Sequence, residues 1–258
     1  METSIPQRQP HVVLDLPSRR WKGLKIERLL HLAERPQPFR MLEVGTGSGG
    51  IASYFGTHPE RRCEVDAVDL HDNRLITEGY RFKRVQGTDL PYPDAAFDIV
   101  LSNHVIEHVG DQRAQRAHLA ELSRVLRPDG VGYLAVPNRW MLVEPHYHLA
   151  FLSWLPHAWR TPYLRTMRRG TFYDCEPLQM RQLERLLTDA GFRCRNLCIE
   201  AWRETFAIER PHSAGTRLLR MIPDAMLEPL RRIIPTLIYE FHHLRQAAQT
   251  IRPPDRTL

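Results

Sequence analysis

A chain of 258 residues, 42% hydrophobic and 26% charged, is long enough to bury a proper core and suits one large domain. Its net charge of +6 raises a nucleic-acid partner, but Arg19-Arg20, Arg168-Arg169 and Arg231-Arg232 are isolated pairs without the interleaved aromatics of an RNA-binding motif, which argues against one. No stretch approaches the ~20 apolar residues of a membrane-spanning helix, residues 1–17 lack a secretory signal pattern, and Cys63, Cys175, Cys194 and Cys198 show no zinc spacing, so a cytoplasmic protein with reduced thiols is expected.

In chain order, residues 18–34 set Leu24, Leu29, Leu30 and Leu32 among charges and predict an amphipathic helix, ended by Pro36 and Pro38. A strand predicted at 39–44 runs into LEVGTGSGG, residues 42–50, in which Gly45, Gly47, Gly49 and Gly50 follow an apolar run. Glycine at that density turns a chain sharply from strand to helix and leaves bare backbone to face a ligand. The spacing Gly45-x-Gly47-x-x-Gly50 also meets the dinucleotide fingerprint, so the stretch alone leaves NAD and other nucleoside cofactors open. Glu43, at the strand end, can order the glycine loop or meet a cationic end of the ligand. A helix follows from Gly49 to His58. CEVDAVDL at 63–70 predicts a second strand ending in Asp69, whose carboxylate can accept both hydroxyls of a ribose. A short third strand is predicted at 82–86.

FDIVLS at 97–102 is a continuous apolar run, as a strand buried on both faces requires. NHVIEHV at 103–109 reads as the opening of a helix, with His104 and His108 four apart on one face. A helix over 111–126 aligns Leu119, Leu122, Val125 and Leu126; Arg127-Pro128-Asp129-Gly130 makes a turn, and 131–137 is the fifth strand. Residues 139–176, rich in aromatics, histidine and proline, predict an insertion over the sheet. A helix at 177–190, a strand at 192–199, a second insertion at 200–234, a closing strand at 235–241 and a frayed tail at Pro253-Pro254-Asp255 complete the chain. The alternation implies a mainly parallel sheet with helices on both faces and a ligand at the carboxyl ends of the strands. The segment 227–246 carries Arg231, Arg232 and Arg245 among apolar residues and admits peripheral membrane contact, though core and sheet edge is the preferred reading.

LEVGTGSGG, GTDLPYPDAAFDIVLSNHVIEHV (87–109) and LSRVLRPDGVGYLAVPN (122–138), in that order, resemble the class I S-adenosylmethionine-dependent methyltransferases that act on small molecules. The resemblance is close over 39–138 and looser at Ala190-Gly191-Phe192. It implies an α/β, Rossmann-like fold with a seven-stranded, mainly parallel sheet, helices on both faces and lid insertions, all in a single domain. The core at 39–138 would bind the cofactor, and the insertions at 139–176 and 200–234 would face the substrate.

The resemblance further implies that Glu43, Gly45, Thr46, Gly47 and Ser48 wrap the methionine part of S-adenosylmethionine. Asp69 would hold the ribose and Leu70 the adenine face, while Gln86 or Asp89, with Gly87 and Thr88, would meet the adenine edge. Asn103 and His104 would face the methyl end. If the acceptor is a hydroxyl, a general base helps, and His104, His146 and His148 are the candidates, with His108 more a structural partner. His146-x-His148 with Glu144 admits a metal, but methyl transfer from this cofactor does not need one, and none is expected. No Asn-Pro-Pro-Tyr-type motif follows the fourth strand and no Pro-Cys nucleophile is present, which argues against base-amino and cytosine C5 methylation. The expected reaction is methylation of a hydroxyl on a sugar, lipid-linked glycan or secondary metabolite. An NAD-dependent dehydrogenase, an RNA methyltransferase and a non-catalytic cofactor-binding protein stand as rivals.

Overall fold

The first element of the computed structural model, which describes residues 16–144 and 146–244, is helix α1 (Leu16–Leu29). It stops short of the expected 34 because His31 takes left-handed backbone (φ 50°), which a right-handed helix cannot continue, and Leu32–Glu34 makes a single 3-10 turn. Strand β1 (Phe39–Val44), helix α2 (Gly50–Gly56), β2 (Cys63–Asp69), β3 (Tyr80–Arg84), β4 (Phe97–Asn103) and helix α3 (Gln112–Val125) follow close to their expected places. Asp111 caps α3, its carboxylate accepting from the Ala114 N–H.

Strand β5 (Leu126–Pro137) includes residues 127–130, where a turn is expected, and absorbs them as a register shift against β4 between Phe97 and Ile99. The first insertion holds a two-residue hairpin, β6 (Val143–Glu144) with β7 (Leu149–Ala150), and helix α4 (His157–Thr166). Helix α5 (Met180–Asp189) and β8 (Phe192–Asn196) come next. In the second insertion α6 (Cys198–Glu209) packs Ala201 against the core and is followed by the short α7 (Ala214–Met221) and α8 (Asp224–Leu227), and β9 (Thr236–His243) closes the fold. The tail at 253–255 lies outside the described residues.

The seven main strands form one sheet in the order β3-β2-β1-β4-β5-β9-β8. All neighbours are parallel except β9, which runs antiparallel between β5 and β8. Successive residues of β1 feed opposite faces: Leu42 and Val44 join a core with Leu119, Leu122 and Leu183, while Phe39 and Met41 join one with Ile26, Ile51 and Phe55. Thus α3 and α5 cover one face, and α1, α2 and α6 the other. Each fully buried Leu or Phe contributes about 1.5–3 kcal/mol of transfer free energy, so the doubly covered strands anchor the domain. The apolar side chains of 236–241 are spent on this core, because β9 lies inside the sheet rather than at its edge; they are not available to a membrane surface. No helix among the described residues is long and apolar enough to cross a membrane.

The antiparallel seat of β9 depends on Gly132, which pairs with Phe241; a Cβ at Gly132 would collide with the buried Phe241 ring. Gly132→Val is expected to destabilise the domain by about 1–3 kcal/mol, read as a lowered midpoint in thermal or urea unfolding; an unchanged midpoint would show that the ring is free to move.

Candidate functional site

The chain leaves β1 toward one side of the sheet and β4 toward the other, which opens a crevice at their carboxyl ends. The loop out of β1 turns on Gly45, Gly47 and Gly49, with φ of 77°, 54° and 80°, the left-handed region where other residues are strained. At Gly45 there is a second reason for glycine, since a Cβ would strike Val105. The carboxylate of Asp69, at the end of β2, ties this loop down: Oδ2 accepts from Gly47 N–H at 2.9 Å and Oδ1 from His71 N–H at 3.2 Å.

Beneath the loop, Glu43 Oε2 accepts from the Thr46 hydroxyl at 2.7 Å and from Ala52 N–H at 3.0 Å. One carboxylate thus joins strand end, loop and helix start. Its burial pushes its pKa up to about 8, against those two hydrogen bonds.

The crevice holds a cavity of about 500 Å³, a size suited to a nucleoside cofactor and part of a second molecule. Its walls bring together Glu43, Gly45, Thr46, Gly47, Asp69, Leu70, Gly87, Thr88, Asn103, His104 and His146, all expected from the sequence. Asn103 Oδ1 is buried with no hydrogen-bond partner among the described residues, a free acceptor in the wall of this cavity.

Four expected residues stand elsewhere. Ser48 is buried outside the wall, its carbonyl accepting from Leu75 and Ile76 N–H. Gln86 is exposed because Val85 and Gly87 on either side of it take the wall positions, and Asp89 is also exposed and off the wall. His148 is exposed, with φ 53° in the turn of the β6–β7 hairpin, and lies off the wall.

The stretch 104–109 is a turn, not a helix, and Asn103 still belongs to β4. His104 itself takes left-handed backbone (φ 59°), and His108 N–H donates to Val105 carbonyl at 2.8 Å. His104 and His108 therefore do not share a helix face, although both border the cavity. His104 Nδ1 lies 3.1 Å from Glu107 Oε1. Burial, and then the nearby Lys22 charge, hold the His104 imidazole well below its ordinary pKa, so the ring is neutral near pH 7. Burial pushes Glu107 up to about 7, against the attraction of His108. His146 Nδ1 sits 2.6 Å from Glu144 Oε1; burial opposes its charge, but Glu144 together with Glu107 and Asp174 raises its pKa.

Sequence reading missed the part of α1 that covers the mouth. Arg19 and Lys22, three apart and so on one helix face, both line the cavity. Burial, with the charges of Lys25 and Arg19, pulls Lys22 down to about 7. The i,i+3 spacing of the two cations was the available signal. His118, which meets Ser102 Oγ through Nε2 at 3.0 Å, is a further wall residue that its helix pattern did not reveal.

Residues 42–134 match the family model of a methyltransferase domain. A stretch of 113 residues is 36% identical to a probable S-adenosylmethionine-dependent methyltransferase of Mycolicibacterium smegmatis, covering 42% of each chain. Another match, 33% identical over 101 residues, is to ajmaline N-methyltransferase of Rauvolfia serpentina, covering 34% of this chain and 35% of that one. The chain spans less than half the length of the curated relatives it matches. Among solved structures, an S-adenosylmethionine-dependent methyltransferase of Methanosarcina mazei superposes with a TM-score of 0.53 at 17% identity, over 84% of this chain and 98% of that one; the likeness is one of fold.

Asp69→Ala removes a charged acceptor and frees the loop, and is expected to weaken S-adenosylmethionine binding about 10- to 100-fold in calorimetric titration. Glu43, largely protonated at pH 7, should lose its proton when a cationic ligand settles beside it. Titrations in two buffers of different ionisation enthalpy should then report proton release that Glu43→Gln abolishes; identical heats for the wild type would place the ligand's charge elsewhere.

Proposed function

Since the chain carries a class I S-adenosylmethionine-dependent methyltransferase domain, we propose that it transfers the cofactor's methyl group to a hydroxyl of a small molecule, on a sugar, a lipid-linked glycan or a secondary metabolite. The observation that carries this reading is the His104–Glu107 pair at the carboxyl end of β4, in the same cavity as the Asp69-tethered glycine loop.

S-adenosylmethionine supplies an electrophilic methyl on a sulfonium; the protein has to align an acceptor oxygen and receive its proton. The residues present fit the cofactor. Asp69 would take the ribose hydroxyls and Leu70 the adenine face, with Gly87 and Thr88 beside the adenine edge. Gly45, Thr46 and Gly47 would wrap the methionine portion, with Glu43 and the unpartnered Asn103 Oδ1 as acceptors for its ammonium.

His104 would act as general base. With Nδ1–H donated to Glu107, the neutral ring keeps its Nε2 lone pair for the acceptor's hydroxyl proton. His146 borders the same cavity with Nδ1 turned to Glu144 and is the second candidate. His148, exposed and off the wall, has the weakest claim of the three. Arg19, with Lys22 partly charged near pH 7, disfavours a cationic amine as acceptor. All four cysteines are free, in keeping with a reducing compartment such as the cytosol.

The reading is tested by following S-adenosylhomocysteine formation with fractionated extracts and a panel of hydroxyl-bearing sugars, glycolipids and phenols. His104→Gln is expected to lower turnover about 10²- to 10⁴-fold while cofactor affinity changes by no more than about threefold. Full turnover in His104→Gln would remove it as the base. Product from amines alone would overturn the oxygen acceptor, and tight binding with no product from any source would make the protein a cofactor binder.

A further inference from the structure

Around Cys175 stands a cluster of reactive side chains, some of which have no part in methyl transfer. Cys175 is buried, 1% exposed, in the segment that leads from the first insertion into α5. Its Sγ lies 3.5 Å from Asp174 Oδ1, 3.9 Å from His108 Nδ1 and 4.0 Å from His146 Nδ1. The ligand atoms of His108, Asp174 and Cys175 all lie within 4.8 Å of one another. Three distant chain segments converge there: the turn after β4, the β6–β7 hairpin and the end of the insertion.

We propose that Cys175, His108 and Asp174 bind a zinc-class divalent cation, which fastens the lid insertion to the carboxyl end of the sheet beside the methyl-transfer cavity. The donor set selects the ion. A thiolate and an imidazole with one carboxylate suit Zn²⁺, or Co²⁺ in its place, whereas Mg²⁺ and Ca²⁺ prefer oxygen ligands throughout.

The spacing agrees with this choice. Zinc bond lengths in a tetrahedral site put neighbouring ligand atoms roughly 3.3–3.6 Å apart, so the sulfur-centred distances need to contract by about 0.3–0.6 Å and the His108–Asp174 pair, within 4.8 Å, by no more than about 1.5 Å. The overlapping group of Glu144, His146 and Cys175 fits less well. Its Glu144 Oε1 and His146 Nδ1 stand 2.6 Å apart, a hydrogen-bond distance too short for two ligands of one tetrahedral ion. His146 is instead the protein group next in reach of the fourth position, held by Glu144. His108 and His146 both border the cavity, so that position faces it. The site differs from the His146-x-His148 pattern visible in the sequence, whose His148 is exposed.

Glu107, Glu144 and Asp174 are 0%, 1% and 6% exposed, so the ion would sit among buried carboxyl groups. It would add to contacts that already hold the insertion, among them the Glu176 N–H to Glu107 carbonyl hydrogen bond at 2.9 Å and the small cluster of Leu149, Leu152, Leu164, Tyr173 and Cys175.

The test uses the full chain, purified without a metal-affinity tag, incubated with ZnCl₂ and dialysed. Elemental analysis is expected to find zinc stoichiometric with protein, and chelation should lower the thermal midpoint. Loading with Co²⁺ should produce thiolate-to-cobalt charge-transfer absorption that Cys175→Ser abolishes and Cys63→Ser retains. If Cys175→Ser does not fold, Asp174→Asn carries the test, with cobalt affinity expected to fall about tenfold or more. Absence of stoichiometric metal from the wild type, or a charge-transfer band that survives in folded Cys175→Ser, would overturn the site. Each readout is independent of methyl transfer, so failure here is distinguishable from failure of the proposed reaction.

Discussion

The hydrogen bond from Gly47 N–H to the Asp69 carboxylate ties the loop after β1 to the end of β2, beside the crevice where the connections of β1 and β4 part. Because β1 sits between β2 and β4, its loop must rise over the sheet, and only a run of left-handed glycines makes that turn. Asp69 then fixes the loop from one side and Glu43 from below. Ala52 at the start of α2 is held by Glu43, and Asn103, His104 and the α1 residues Arg19 and Lys22 line the same cavity.

Buried carboxyl groups recur around the same cavity. Glu43, Glu107 and Glu144 are each 1% exposed or less, and each has a short-range partner that recovers part of the desolvation cost. Hydrogen bonds from Thr46 and Ala52 are not enough to keep Glu43 in its ordinary range. Such an arrangement is poised for cations. An organic sulfonium and ammonium suit the Glu43 end, and a divalent ion suits the Cys175 end.

Several arginines sit in ion pairs: Arg40 and Arg81 meet Asp66, Arg61 meets Glu27, and Arg124 bridges Glu121 and Asp94. Paired charges cancel, so the net +6 resides on other basic residues. Arg19 and Lys22 line the cavity.

The sequence by itself determined the alternation of strands and helices through β5, the glycine turn and the place of Asp69. Each of these is written in local periodicity or in a residue type that only one backbone geometry accepts. The match extends to the wall of the cavity wherever a residue lies at a strand end, as Glu43, Asp69 and Asn103 do. Tertiary structure alone decided the rest. The antiparallel seat of β9 between β5 and β8 depends on Gly132 opposite Phe241, a contact between segments far apart in the chain. His104 leaves the expected helix because its own backbone is left-handed, and Ser48, Gln86 and His148 miss the cavity because loop torsion, not residue type, aims them. Cys175 meets His108 and His146 only after the insertion folds back over the sheet, and no spacing along the chain encodes a meeting that long-range packing creates.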